Sequence, residues 1–227
     1  MAQEGPLVVP RCGALTMHIP DGFLSPQLSL PALAVSVPIW AWGARRHFGR
    51  EAAESLPVLG SLTALAFVIQ TIMIPVPGGT STHLVGVTVL ALLHGPLAAF
   101  VCEGLVLLVQ ALFFGAGGIT VLGVNALAMG LLGPLAGWMA WRLLRGLSEK
   151  VALFVAGWLA TQVATLAVAG ALALQHRLDP LLFPVAPAVT LAAMLVPSLT
   201  LAGLVEGLYT VFALSLVRKA NLRGVEV

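Results

Sequence analysis

Long apolar runs, separated by short polar or charged loops, dominate the chain from about Leu30 onward. The runs are continuous, whereas the strands of a membrane β-barrel would alternate apolar and polar residues over about ten positions. They therefore predict helices, and a helix needs ~20 mostly apolar residues to cross a bilayer. Seven candidate spans result, at residues 29–45, 57–75, 83–95, 97–114, 119–144, 151–175 and 187–217.

The third candidate span, residues 83–95, is the shortest apolar stretch of the seven. Gly95-Pro96 follows it and predicts a tight turn into the fourth span. A span of this length is tolerated when it is buried among neighbouring helices. We therefore expect a tilted or partial span at this position.

The composition supports an integral membrane protein. The mean hydropathy is +1.02, and only 9% of the residues are charged, compared with about 25% in soluble domains. We therefore predict an all-α fold, a polytopic membrane bundle of about seven transmembrane helices. The net charge of +2 gives no indication of nucleic-acid binding. Cys12 and Cys102 form no C-x-x-C pair, so neither a zinc site nor a disulfide framework is indicated.

The lysines and arginines predict how the bundle is oriented, because cytoplasmic loops carry an excess of them. Of the eleven basic residues, nine lie in loops on one predicted side: Arg45, Arg46, Arg50, Arg142, Arg145, Lys150, Arg218, Lys219 and Arg223. This pattern puts the amino terminus outside and the carboxyl terminus in the cytoplasm. It also puts three polar stretches, residues 17–26, 78–82 and 115–118, together on the outer face.

The stretch at residues 17–26 offers metal-binding chemistry that is rare elsewhere in the chain. If the protein begins at Met17, the α-amine of Met17 and the backbone and ring nitrogens of His18 can close two fused chelate rings around one ion. Imidazole suits Zn, Cu, Ni and related ions. His83, at the outer mouth of a helix, could supply a fourth nitrogen, although a capping or interfacial histidine explains its position equally well.

Residues 1–16 do not form a convincing targeting signal. Glu4 stands where a signal peptide has positive charge, and Pro10-Arg11 interrupts the chain before seven apolar residues accumulate. Two explanations stay open, an upstream start codon chosen in error or an extension that is removed, and we favour the first. Residues 17–227 then form a single membrane-embedded metal-capture domain.

Three stretches, residues 17–26, 77–83 and 117–130, resemble in order the signature stretches of the CbiM/NikM family. That family comprises the substrate-capture (S) components of energy-coupling-factor transporters for cobalt and nickel. The resemblance runs from Met17 to about Arg218. It implies a bundle that captures Co²⁺, with Ni²⁺ a close second, at the outer membrane face.

The resemblance also implies roles for individual residues. The metal would be held by the amine of Met17, by the backbone and ring nitrogens of His18, and by the ring of His83. Asn125 resembles an asparagine that fixes the outer loops by hydrogen bonds. Asp21 is expected to hold His18 or the loop through its carboxylate, although a turn-forming aspartate is as good an explanation.

The partners follow from the same resemblance. It implies import by a complex with a transmembrane coupling (T) subunit, two ATPase subunits and a small CbiN-like or NikN-like membrane subunit. The location would be the cytoplasmic (inner) membrane of a bacterium or archaeon. The sequence contains no G-x-x-x-x-G-K-[ST] phosphate loop, so we expect no ATPase activity, no enzyme and no catalytic cofactor in this chain.

Two other functions were weighed against capture. A stand-alone ion-driven metal carrier or channel would carry polar rows through the bilayer centre. An intramembrane enzyme would carry a motif such as G-x-S-x-G or H-E-x-x-H, and neither occurs. Intramembrane carboxylates invite a functional reading, and for Glu206 we expect bracing of helices. Gln70 and Gln110 are candidate interhelical hydrogen-bond donors, and His47 and His176 are expected to be solvated.

Overall fold

The structure, a computed structural model, describes residues 18–48, 56–76 and 80–219. Within these ranges the chain forms seven helices and one short hairpin. The helices are α1 (Pro26–His47), α2 (Leu56–Gln70), α3 (Val87–His94), α4 (Pro96–Phe114), α5 (Leu122–Leu144), α6 (Glu149–Leu178) and α7 (Pro187–Lys219). The predicted all-α membrane bundle is confirmed.

Four of these helices, α4 to α7, are long and apolar enough to cross a membrane, among the residues that the structure describes. Helix α3 has eight residues and is ~12 Å long at 1.5 Å per residue, less than half of the ~30 Å hydrocarbon core. Residues from Val87 to Leu92 are all buried. The third span is therefore a partial one enclosed by its neighbours, as its sequence predicts.

The second span ends earlier than its apolar run predicts. Helix α2 stops at Gln70, and the chain then forms an antiparallel hairpin of β1 (Ile74–Val76) and β2 (Thr80–Thr82). Pro75 explains part of this difference, because proline lacks the backbone N–H that a continuing helix would use. The predicted helix to residue 75 is wrong beyond Gln70. The predicted loop at residues 78–82 is a strand at Thr80–Thr82, and its first two residues lie outside the described residues.

Three of the long helices contain π-helical segments. These are Gln110–Phe114 at the end of α4, Ala126–Leu132 within α5 and Ser198–Ala202 within α7. Such segments often occur at functional sites. The segment in α5 begins directly after Asn125, so this asparagine stands at a change in helix geometry.

Helix α6 is the central helix of the bundle. It packs most extensively against the second halves of α5 and α7. Glycines permit this close approach, as small residues do in other membrane bundles. A Cβ at Gly133 of α5 would lie 2.8 Å from the carbonyl oxygen of Ala160, and a Cβ at Gly157 would lie 2.7 Å from that of Glu206. The backbones of all three helices are therefore nearly in contact.

The two ends of the bundle differ in chemistry. Helices α1 and α5 both start beside the polar residues 18–25 and run to basic residues, Arg45 and Arg46 in α1 and Arg142 in α5. Arg218, near the end of α7, forms an ion pair with Glu149 at the start of α6. These basic residues thus gather at the end opposite residues 18–25, whereas Arg177 lies close to Gln175, which contacts Ser25. That the basic end is cytoplasmic stays a prediction.

Candidate metal centre

Residues 18–25 form a non-helical segment that inserts into one end of the bundle. His18 and Ile19 are only 2% and 1% exposed. Gly22 has φ of +86°, a conformation that glycine adopts without steric cost. The turn lets the chain reverse before α1 begins after Ser25, whose backbone N–H donates to Gln175 Oε1 at 2.8 Å.

Asn125 fixes the backbone that follows His18. The Ile19 N–H donates to Asn125 Oδ1 at 3.0 Å, and Asn125 Nδ2 donates to the Ile19 carbonyl at 3.0 Å. Asn125 is buried, so these two bonds satisfy groups that water cannot reach. The structure brings together two residues that the sequence separates widely.

Asp21 ties the same segment to the glycine-rich loop before α5. Its carboxylate accepts hydrogen bonds from the Ile119 N–H at 3.1 Å, the Thr120 N–H at 2.9 Å and the Thr120 hydroxyl. Partial desolvation raises the pKa of Asp21, but the hydrogen bonds from Thr120 and Ile119 outweigh it and place the pKa below its ordinary value. A Cβ at Gly118 would collide with this carboxylate, so the glycine lets the loop close over Asp21.

His83 lies between β2 and α3 and is 2% exposed. Its Nδ1 is 3.2 Å from the carbonyl oxygen of Leu84. Because a carbonyl can only accept, this contact assigns the proton to Nδ1 and leaves the lone pair on Nε2. Nε2 is buried and has no hydrogen-bond partner among the described residues. Metal-binding histidines commonly donate their other ring nitrogen to such an oxygen.

The rings of His18 and His83 lie side by side, with centroids 4.7 Å apart and planes inclined by 57°. Burial lowers the pKa of both rings, and the pKa of His18 is lowered further because a proton on His83 would repel a second one on His18. Both imidazoles are therefore neutral near pH 7, which is the form that binds metal ions. Gly117 packs against His18, since a Cβ there would lie 3.5 Å from His18 Cβ.

The backbone just after His83 is held by buried side chains from two helices. Glu206 of α7 accepts hydrogen bonds from the Val85 N–H at 2.8 Å and the Gly86 N–H at 2.9 Å. Gln70 of α2 donates through Nε2 to the Val85 carbonyl at 2.9 Å. The same Nε2 donates to Glu103 Oε2 at 2.9 Å, and Gln110 Nε2 donates to Gln70 Oε1 at 3.2 Å.

These contacts extend and correct the sequence analysis. Gln70 and Gln110 donate between helices as predicted, but nothing in the sequence showed that Glu206 reaches the segment that carries His83. The prediction that His176 is solvated is wrong, because its half-buried ring hydrogen-bonds through Nδ1 to the Phe183 carbonyl at 2.9 Å. A terminal helix position had suggested exposure, and the loop that folds back over α6 removes it.

Met17, the predicted source of the α-amine, lies outside the described residues. The described residues contain no group of three or more His, Cys, Asp or Glu that could hold a metal ion. A site here must therefore combine the rings of His18 and His83 with other donors. Backbone nitrogen and an α-amine are the donors that the sequence predicts.

Comparisons with known proteins relate the chain to metal transport proteins. The family described as CbiM, cobalt uptake substrate-specific transmembrane region, matches residues 18–223. The chain is 36% identical to a probable fused nickel transport protein, LarMN, of Lactiplantibacillus plantarum, over 89% of this chain and 65% of the relative. It is 34% identical to the fused nickel transport protein NikMN of Rhodobacter capsulatus, over 90% of this chain and 62% of the relative. The chain thus spans less than two thirds of either fused relative.

A solved structure shares the fold. The crystal structure of a truncated transition metal transporter superimposes with a TM-score of 0.84 at 34% sequence identity. The match covers 89% of this chain and 99% of that one. The arrangement of helices around residues 18–25 is therefore one that a solved transporter also has.

Proposed function

The chain belongs to the CbiM family, and from this premise we propose that it captures Co²⁺ or Ni²⁺ at the polar end of its bundle as the substrate-specific subunit of a metal importer. One observation carries the proposal. Two buried, neutral imidazoles meet at 4.7 Å, and His83 Nε2 offers a lone pair with no hydrogen-bond partner among the described residues. The names of the relatives, cobalt and nickel transport proteins, support the same cargo.

The proposed ligands are four nitrogens. The rings of His18 and His83 would supply two, and the backbone nitrogen of His18 and the α-amine of Met17 would supply the others, in a chain that begins at Met17. Nitrogen donors disfavour Mg²⁺ and Ca²⁺, which take oxygen ligands, and suit late first-row ions. We favour Co²⁺, with Ni²⁺ a close second.

Asn125 and Asp21 would position the metal ligands without binding the ion themselves. Asn125 holds both polar groups of the Ile19 backbone, which immediately follows His18. Asp21 holds the glycine-rich loop that packs against His18. Residues behind metal ligands typically change affinity by about 10–100-fold when they are removed. Both residues would therefore keep the ligands in register without touching the ion.

Energy for import would come from partner subunits. We propose a transmembrane coupling (T) subunit and two ATPase subunits, since the sequence contains no phosphate loop of its own. The fused relatives LarMN and NikMN extend beyond the length that this chain matches, which supports a small N-type membrane subunit as a further partner. The assembly would lie in the cytoplasmic membrane of a bacterium or archaeon, with the histidines facing outward.

A metal titration tests the proposal. The purified chain beginning at Met17 should bind Ni²⁺ or Co²⁺ in detergent, measured by calorimetry and by metal content after gel filtration. His83→Ala should weaken binding by at least about 100-fold, because it removes a first-coordination nitrogen whereas outer partners cost about 10–100-fold. His47→Ala, at the opposite end of α1, is the matched control and should bind normally. Equal binding by His83→Ala and the unmodified chain would refute the site.

A further inference from the structure

We propose that Glu206 and Gln70 are positioning residues of the metal centre. Glu206 from α7 and Gln70 from α2 hydrogen-bond to the backbone at Val85 and thereby hold the His83 ring against His18. The inference rests on the proposed function. It adds a role to two buried side chains whose hydrogen bonds, among the described residues, go to neither histidine. The role is to set where the His83 nitrogen lies.

Val85 follows His83 by two residues, and both of its backbone polar groups are hydrogen-bonded by these side chains. Both carboxylate oxygens of Glu206 are used, Oε2 on the Val85 N–H at 2.8 Å and Oε1 on the Gly86 N–H at 2.9 Å. Gln70 binds the Val85 carbonyl at 2.9 Å from the other side. The Val85 backbone therefore has little freedom to move along or across the bundle.

Gly86 makes the two-point contact with Glu206 possible. Its φ is +72°, a conformation that residues with a side chain rarely adopt. In this turn the N–H groups of Val85 and Gly86 face the same carboxylate. A Cβ at Gly86 would also lie 2.5 Å from Ile69 Cδ1, so the segment fits closely against α2 as well as α7.

The burial of these polar side chains indicates a role. Glu206 is 1% exposed and Gln70 is 1% exposed, and polar residues inside a membrane are costly and usually functional. Glu206 accepts with both of its oxygens, and Gln70 donates one hydrogen bond, at the backbone that follows His83. The His83 ring itself is hydrogen-bonded only to its neighbour Leu84 among the described residues.

A double-mutant cycle tests the inference on the form of the chain that binds Ni²⁺. Glu206→Gln keeps the shape of the side chain but replaces one acceptor oxygen with an N–H₂ group, which cannot accept from a backbone N–H. We expect Ni²⁺ binding to weaken by about 10–100-fold. In a His83→Ala background the same change should have no further effect, because the hydrogen bonds to the Val85 backbone influence the metal only through His83.

The readout separates positioning from a general loss of stability. The visible absorption of bound Ni²⁺ reports its ligands, so Glu206→Gln should shift the spectrum toward that of His83→Ala. Gln162→Leu is the matched control, because Gln162 is buried and bonds Ser198 on α7 without reaching Val85. It should leave both the affinity and the spectrum unchanged. If Glu206→Gln does not fold, Gln70→Met tests the same peptide from α2.

Several results would overturn the inference. Unchanged Ni²⁺ affinity in both Glu206→Gln and Gln70→Met would do so, as would equal losses with and without His83. If the unmodified chain binds no Ni²⁺, the proposed function fails and takes this inference with it. If His83→Ala weakens binding as expected and Glu206→Gln does not, the metal site stands and the positioning role alone is wrong.

Discussion

Asn125 and Ile19 exchange two hydrogen bonds of 3.0 Å, through which one side-chain amide of α5 holds both polar groups of the residue after His18. The pair is buried, so neither the Ile19 N–H nor its carbonyl has water as a substitute. An unpaired buried group costs about 1–3 kcal/mol. Asn125 therefore contributes to the stability of residues 18–25 and to the placement of His18 at once.

Replacing Asn125 with alanine should weaken Ni²⁺ binding by about 10–100-fold, as other outer partners of metal ligands do. Asn125→Asp is the graded companion, since it keeps the acceptor for the Ile19 N–H and loses the donor to the Ile19 carbonyl. Calorimetric titration of both variants checks the order, with alanine at least as weak as aspartate. Normal affinity in Asn125→Ala would show that the segment holds His18 without this contact.

The stabilising effect of the Asp21 carboxylate on the glycine-rich loop should depend on pH. Its folded pKa lies below the ordinary value, so its stabilising contribution is present above the unfolded pKa of about 3.9 and is lost as the pH falls through the folded pKa. Hydrogen exchange at the Thr120 amide, corrected for intrinsic rates, should therefore be slow at pH 7 and at pH 5 and should become faster only after the pH falls below about 3.9.

The variant Asp21→Asn supplies the control for that measurement. Asparagine has one acceptor oxygen where Asp21 uses both, so the Ile119 or Thr120 amide should exchange faster at pH 7 and at pH 5, where Asp21 is a carboxylate. Thr165, whose hydroxyl contacts Ser198 in the bundle interior, offers a reference amide that should not change. Equal exchange at Thr120 in the variant and the unmodified chain would mean that the loop closes without the carboxylate.

The start of the protein is predicted to decide whether the site is complete. A chain beginning at Met17 has an α-amine with a reference pKa of about 7.7–8.0, which can give up its proton to a metal near neutral pH. A single residue fixed ahead of Met17 converts that amine into an amide and should remove most of the Ni²⁺ or Co²⁺ affinity without unfolding the bundle. N-terminal sequencing of the mature protein and titration of the two forms check this, and equal affinity would exclude the amine as a ligand.

Transport should require partner subunits. Cells that express this chain alone should accumulate little Co²⁺ or Ni²⁺, and uptake should appear when the coupling subunit and the ATPase pair are added. His83→Ala in the complete set should abolish the added uptake, while His47→Ala should not. Proton-driven, ATP-independent uptake by the purified chain in liposomes would instead make it a stand-alone carrier.

The sequence by itself determined the helical architecture. Continuous apolar runs have only one common solution in a bilayer, because a helix satisfies its backbone hydrogen bonds within one segment, and the runs predicted seven helices that the structure contains. It also singled out His18 and His83 as candidate nitrogen ligands, while the resemblance to the CbiM/NikM family pointed to Asp21 and Asn125. Where local chemistry decides the outcome, as at the short third span, the prediction held.

The tertiary structure decided which polar groups meet. The partnership of Asn125 with Ile19, of Asp21 with Thr120 and of Glu206 with Val85 joins residues from different helices and loops, and no spacing along the chain encodes such a pairing. The early end of α2 and the cover over His176 also depend on neighbours that pack in space. A bilayer stabilises each apolar helix independently of the others. A buried hydrogen bond between helices, in contrast, forms only when packing brings its donor within about 3 Å of its acceptor.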